Sequence, residues 1–214
     1  MRPNKDEVIE GYNSGLNASK LSDKYDISIW SIYKLLKKHG VQRRTPAQSN
    51  KLVYDNKPLT FNKKINLTRD EEVLFNAGLL IYLGEGSKRA DCTVDLANSN
   101  PEMVKIFLKF LRDIYRVNES KLRVLLYCYS NQNVDQLVEY WSSLSNIPRE
   151  QFSKPYIRED YSREKYGRME YGLVHIRYSD TKLMSLIKKD MSNLIDLLLG
   201  YPSGQRGLTV DRQL

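Results

Sequence analysis

Residues 71–88 read EEVLFNAGLLIYLGEGSK, and the rest of the chain is best read outward from them. Thr68 precedes Glu71 by three residues, the spacing of a capping box that satisfies the first free N–H groups of a helix. From Val73 to Leu83 the stretch is apolar at nearly every position. Such a helix is expected to be buried on all sides. It closes in Gly84-Glu85-Gly86, a carboxylate between two glycines. Ala77 and Gly84 are two helical turns apart, so they share a face and allow a second backbone to come close. The plainest interpretation is a core helix with a glycine stop and a solvated Glu85. The alternative is a rigid, apolar rod that holds one acid at its tip.

The 214 residues allow one or two domains with a sizeable core. The net charge of +8 and the pI near 9.3 point to a polyanionic partner. That charge is unevenly spread. Residues 1–66 hold 13 Lys/Arg against 6 Asp/Glu, whereas residues 67–214 hold 21 against 20. A basic N-terminal module joined to a neutral body is expected. Cys92 and Cys128 lack metal-ligand spacing and are read as free, buried thiols of a reducing compartment. The two histidines, His39 and His175, have no Cys/His cluster to complete a zinc site. No signal segment or bilayer-length apolar run is present, so a cytoplasmic, nucleoid-associated protein is expected, with no membrane partner and no organic cofactor.

The first 45 residues predict three short helices: 4–14, 17–25 and 28–39, stopped by Gly15, a turn at Asp26-Ile27, and Gly40. Ile32, Leu35 and Leu36 share the inner face of the third. A three-helix bundle accounts for that periodicity, but not for Lys34, Lys37 and Lys38 followed by Arg43 and Arg44. The run from Ile9 to Ser28 resembles the helix-turn-helix of resolvases and homeodomain-like proteins. That resemblance implies a third helix in the DNA major groove, with Trp30, Ser31 and Lys34 near base edges. Lys37, Lys38, Arg43 and Arg44 would meet phosphates or the adjacent minor groove. Residues 46–66 carry two prolines and no sustained period and are expected to be a linker, with Lys63 and Lys64 as further phosphate contacts.

Beyond residue 67 the patterns predict, in order, the apolar helix, a strand (92–98), a helix opened by Asn100-Pro101, a strand (121–129), a helix (134–144), an extended FSKPYIR segment (152–158), a charged mobile loop (160–168), a strand (171–178) and a helix (181–199). Residues 201–214 are left as a tail. This is an α+β arrangement. Ile81-Tyr82-Leu83-Gly84-Glu85-Gly86-Ser87 resembles the second half of the LAGLIDADG motif of homing endonucleases, with the motif's small third residue on Leu80 and its first acid on Leu83. The runs 98–101 and 152–156 are similar to LAGLIDADG-like proteins that carry an N-terminal helix-turn-helix.

The resemblance implies an αββαββα-like domain over residues 67–200, with a saddle-shaped antiparallel sheet facing double-stranded DNA. It also implies a homodimer packed through Ala77, Ile81 and Gly84. Glu85 and the Gly84 carbonyl would hold Mg²⁺ or Mn²⁺, and Lys154 or Lys88 would position water or neutralise developing charge. Arg123, Tyr156, Arg158 and Arg177 are the expected DNA contacts of this body. The activity implied is double-strand DNA endonuclease. A non-catalytic helix-turn-helix regulator, using a nuclease-like body for dimerisation and grip, is the competing reading. A recombinase has no serine or tyrosine in a recognisable catalytic setting.

Overall fold

The computed structural model describes residues 4–87, 91–159 and 169–201. Two compact units divide between Pro58 and Leu59. In the first, α1 (Lys5–Asn13), α2 (Ala18–Tyr25) and α3 (Ile29–Lys38) each start on a side chain that accepts from the first turn: Asn4, Asn17 and Ser28. The chain passes from α1 to α2 through Gly15 at φ 109°, a conformation open to glycine but strained for other residues. Asp26, in the left-handed region at φ 50°, closes α2. Val8, Tyr12, Ala18, Leu21, Ile32 and Leu36 form the small core.

The segment expected to be a linker is in part a helix, α4 (Pro46–Asn56). Thr45 and Gln48 make both bonds of a capping box, and Pro46 occupies the first turn. None of its residues is buried. Its ends, not an apolar stripe, specify it, which is why hydrophobic periodicity gave no sign of it.

Residues 60–64 of the expected linker are tied to the second unit. Asn62 and Lys64 donate their N–H groups to the carbonyls of Tyr115 and Ile114, and the Thr60 carbonyl accepts from Asn118 N–H. Lys63 Nζ lies 2.7 Å from both oxygens of the buried Asp190, which also accepts from Tyr115 Oη at 2.7 Å. Lys64 Nζ bridges both oxygens of Glu71 at 2.6 and 2.7 Å. These two lysines hold the fold together; the expected phosphate contacts are corrected accordingly.

The second unit is α+β. Its order is α5 (Arg69–Glu85), β1 (Thr93–Asn98), α6 (Pro101–Lys109), β2 (Leu122–Tyr129), α7 (Val134–Ser145), β3 (Tyr156–Arg158), β4 (Leu173–Ser179) and α8 (Thr181–Leu199). Among the described residues only one strand separates α5 from α6, so the αββαββα order is not reproduced. The sheet runs β1-β4-β2-β3. β4 is antiparallel to β1 and β2, but β3 joins β2 in parallel, so the sheet is mixed and not the all-antiparallel one expected. Strand alternation sends Val94, Leu96, Val124, Leu126, Val174 and Ile176 into the core and leaves the opposite face partly open. The loop 160–168 and the tail beyond Tyr201 lie outside the described residues.

Helix α5 joins the core by close approach. Thr68 and Glu71 make the capping box. A Cβ on Gly78 would stand 2.2 Å from Cγ of Phe110, the first residue of a π-helical turn, Phe110–Ile114, that continues α6. Tyr82 is fully buried and stacks on Phe107 at 5.7 Å. Only Gly78, Leu79 and Tyr82 are buried on this helix, so it is not enclosed on all sides. Of the cysteines, Cys128 is buried but Cys92 is exposed.

Two outcomes follow from this packing. Gly78→Ala should lower stability by about 1–3 kcal/mol in urea unfolding, because the methyl has no room beside Phe110. Acid unfolding should reveal Asp180, which caps α8 and accepts from Thr60 Oγ1 at 2.6 Å. Burial would push its carboxyl up, but the Thr60 bond, the Leu183 and Lys182 N–H groups and Lys121 outweigh this and hold it below its ordinary value. A depressed carboxyl contributes stability above the unfolded value of about 3.9 and loses it as pH falls through the folded value. Asp180→Asn should therefore cost stability at neutral pH, and the gap from wild type should narrow on acidification.

Candidate nucleic-acid interface

Three surfaces gather the residues singled out from sequence. The first is the outer face of α3. Its inner positions Ile32 and Leu36 are buried, which turns Trp30, Lys34, Lys37 and Lys38 outward. Trp30 is 68% exposed, with Lys34 Nζ 4.9 Å from its ring centre. An exposed indole with an ammonium beside it is a poor core element and a suitable contact for a base edge and a phosphate. Ser31 is half-buried, and its Oγ is 2.9 Å from Ser28 Oγ within the helix cap.

Arg43 and Arg44 separate. The Arg43 guanidinium lies over the Tyr33 ring at 4.1 Å on an exposed residue. Arg44 is part of the fold: its Nη2 donates to the carbonyls of Tyr12 (2.8 Å) and Leu16 (2.5 Å), and its N–H donates to Tyr12 Oη (2.9 Å). Of the Arg43-Arg44 arm expected to meet phosphates, Arg44 is thus tied to the helical unit through Nη2 and its N–H, and only Arg43 is exposed.

The second surface is the end of α5. Val73 (64% exposed), Ala77, Leu80 (48% exposed) and Gly84 recur at helical spacing along one stripe. A Cβ on Gly84 would meet nothing within 4 Å. Ala77 is half-buried at the stripe's edge, and Ile81 packs in part against the chain's own core. Glu85 is exposed, and among the described residues it has no hydrogen-bond or ion-pair partner. Its position is well anchored. Gly86 N–H donates to the Tyr82 carbonyl at 2.9 Å, Gly86 bridges to Leu96, and Ser87 N–H donates to the Asp95 carbonyl at 2.8 Å. Tyr82 Oη donates to the Ser87 carbonyl at 3.0 Å, and burial pushes that phenol up to about 12.

Gly86 has an ordinary φ of −75°. Space requires the glycine there, because a Cβ would stand 2.4 Å from the Tyr82 ring. Lys88 lies outside the described residues. Among those described, no group of three His, Cys, Asp or Glu side chains could enclose a metal ion within one chain.

The third surface is the open face of the sheet. Asp95, Arg177 and Arg123 are register partners across β1, β4 and β2. Asp95 divides its oxygens: Oδ1 is 2.9 Å from His175 Nδ1, and Oδ2 accepts from Arg177 Nε at 2.9 Å. Burial would push Asp95 up, but His175 and Arg177 outweigh it and hold the carboxyl below its ordinary value. The Tyr127 ring sits 4.9 Å from both Tyr156 and His175. Tyr156, Arg158 and Lys154 are exposed at the β3 edge. Asp95, Tyr127 and His175 were not among the sequence candidates. The period-two pattern placed His175 beside Arg177, but the partner acid becomes visible only through strand register.

Compared with known protein families, with curated proteins and with solved structures, the chain shows no significant match. Among the described residues, no helix is long and apolar enough to cross a membrane.

The two arginines can be told apart experimentally. Arg44→Ala should destabilise the helical unit by about 1–3 kcal/mol, the cost of losing its part-buried, charge-assisted bonds to the Tyr12 and Leu16 carbonyls. Arg43→Ala should move thermal unfolding by no more than about 0.5 kcal/mol, as exposed substitutions do.

Proposed function

We propose that this chain is a sequence-specific binder of double-stranded DNA that works as a homodimer and cuts DNA with a divalent metal, as a LAGLIDADG-type endonuclease. One observation carries the reading: an apolar helix leaves the stripe Val73, Ala77, Leu80 and Gly84 uncovered and ends in a carboxylate with no partner among the described residues. A second copy on that stripe covers apolar surface and brings two Glu85 side chains together under two-fold symmetry. Two carboxylates at two helix C-termini repel each other, and a cation relieves both effects.

The donors fit a hard cation. Glu85 supplies a carboxylate, and the Gly84 carbonyl belongs to the last turn, where helix carbonyls lack intrahelical partners. Because one chain offers no three-ligand cluster among its described residues, Mg²⁺ or Mn²⁺ would be held between the two copies. Bound there, the metal supplies activation of water and stabilisation of the leaving oxygen. The chain's own part is to hold DNA in place. The Trp30 and lysine face of α3 suits a major groove, with Lys37, Lys38 and Arg43 on phosphates. Arg123, Tyr156, Arg158 and Arg177 supply a second contact, and Lys154 is the exposed cation suited to steadying developing charge.

The regulator reading draws on the same missing third ligand: DNA binding and dimerisation need no metal. Glu85→Gln separates the two. On a site selected from a randomised duplex library, cleavage in Mg²⁺ should fall about 100-fold or more while metal-free binding holds or tightens. Wild-type protein that never nicks its site in Mg²⁺ or Mn²⁺ leaves the regulator. The dimer has its own test. Gly84→Leu, which has open space in a single chain, should keep the fold and shift sedimentation from dimer to monomer.

A further inference from the structure

We infer that His175 and Arg177, held side by side by Asp95, form a binding site for one phosphodiester group, with a charge set by the histidine. The inference rests on the DNA-binding reading, which already uses Arg177, and adds to it His175 and Asp95.

Among the described residues, many cations of the second unit outside this face have acids: Lys63 with Asp190, Lys64 with Glu71, Arg112 with Glu119, Lys121 with Asp180, Arg149 with Asp135 and Lys188 with Asp91. The open face of the sheet departs from that rule. Arg123 and Arg177 stand directly opposite each other on β2 and β4, a like-charge pairing that costs stability. One carboxylate, Asp95, serves the row. Arg123 spends Nη1 on the carbonyls of Ser120 and Leu122, so it is fixed without being neutralised. A surface arranged for stability alone would not leave this excess positive charge on a sheet face, and an anion resolves it.

Asp95 engages Arg177 through Nε, which leaves both terminal nitrogens without a partner among the described residues. That is the fork that grips a phosphate. It engages His175 through Nδ1, leaving Nε2 without a described partner. The Asp95, His175 and Arg177 side chains are 15%, 18% and 35% exposed, so they are oriented by packing yet reachable. Tyr127 lies against the imidazole. Among the described residues, the charged or titratable groups facing His175 are Asp95 from β1, Arg123 and Tyr127 from β2, Tyr156 beyond Tyr127 on β3, and Arg177 on its own strand. When neutral, with Nδ1 donating to Asp95, the ring offers Nε2 as an acceptor and opposes a phosphate oxygen; when protonated, it donates to one.

The chain has two histidines, so His39→Gln in the full-length protein leaves His175 as the sole imidazole. In that background, duplex affinity is measured against salt at about pH 5.5 and about pH 8, which bracket histidine titration. The log–log slope should be steeper by about 0.9 at the lower pH, one phosphate's worth. Affinity there should be roughly tenfold tighter. Adding His175→Gln should erase both differences, whereas Arg177→Gln should lower the slope at both pH values. Imidazole NMR signals of the His39→Gln protein, followed on addition of inorganic phosphate, test the site without altering it. A pH-independent slope and unmoved imidazole signals, with duplex affinity intact, overturn this site and leave the DNA-binding reading standing. Imidazole signals that move with phosphate in a protein lacking duplex affinity at either pH support the site and remove that reading. Silence in both measurements removes both.

Discussion

One-sided burial of the four-stranded sheet is the constraint on which the second unit depends. Strand alternation commits Val94, Leu96, Val124, Leu126, Val174 and Ile176 to a single core with Phe107, Phe110 and Trp141. A sheet buried on one face must leave its other face polar or cover it with something else. Here that face carries Arg123, His175, Arg177 and Asp95, with Tyr127 and Tyr156 across β2 and β3. The same packing that closes the core therefore assembles the charged surface, and no loop is needed to bring those groups together.

Helix α5 shows how tightly packing controls the one acid that carries the proposed chemistry. Gly78 allows α5 to lie against Phe110, and Gly86 allows the chain to turn past Tyr82 onto β1. Between these contacts the helix keeps its apolar stripe outside. A buried polar group needs partners, and Asp190 has them in Lys63 and Tyr115. Glu85, at the helix tip, has none among the described residues.

Much of the secondary structure was legible from sequence because it rests on local rules. Helices α2, α3 and α5 start just after Asn17, Ser28 and Thr68, as those capping residues indicated, and α1 starts just after Asn4, where its apolar period begins. The span of α8, 181–199, matches its apolar period, and strand alternation sorted His175 and Arg177 from Val174 and Ile176. What was missed lacked a local sign. Helix α4 has no buried stripe, the π-helical turn at Phe110 interrupts a stripe that reads as continuous, and the linker lysines Lys63 and Lys64 look like any basic pair.

By itself, then, the sequence determined most of the helices and strands, α4 aside, the concentration of positive charge in the first 66 residues, and an acid set between glycines at the end of an apolar helix. Each follows from spacing along the chain, through the 3.6- and 2-residue periods and the side chains that cap helix ends. Only the tertiary structure decided that Arg44 is a structural donor while Arg43 is exposed, that Gly78 and not Gly84 is the site of close approach within the chain, and that Asp95 meets His175 and Arg177. Those are relations between residues some 30 to 80 positions apart. They depend on strand register and on the fit of one side chain into the space left by another, which no periodicity encodes.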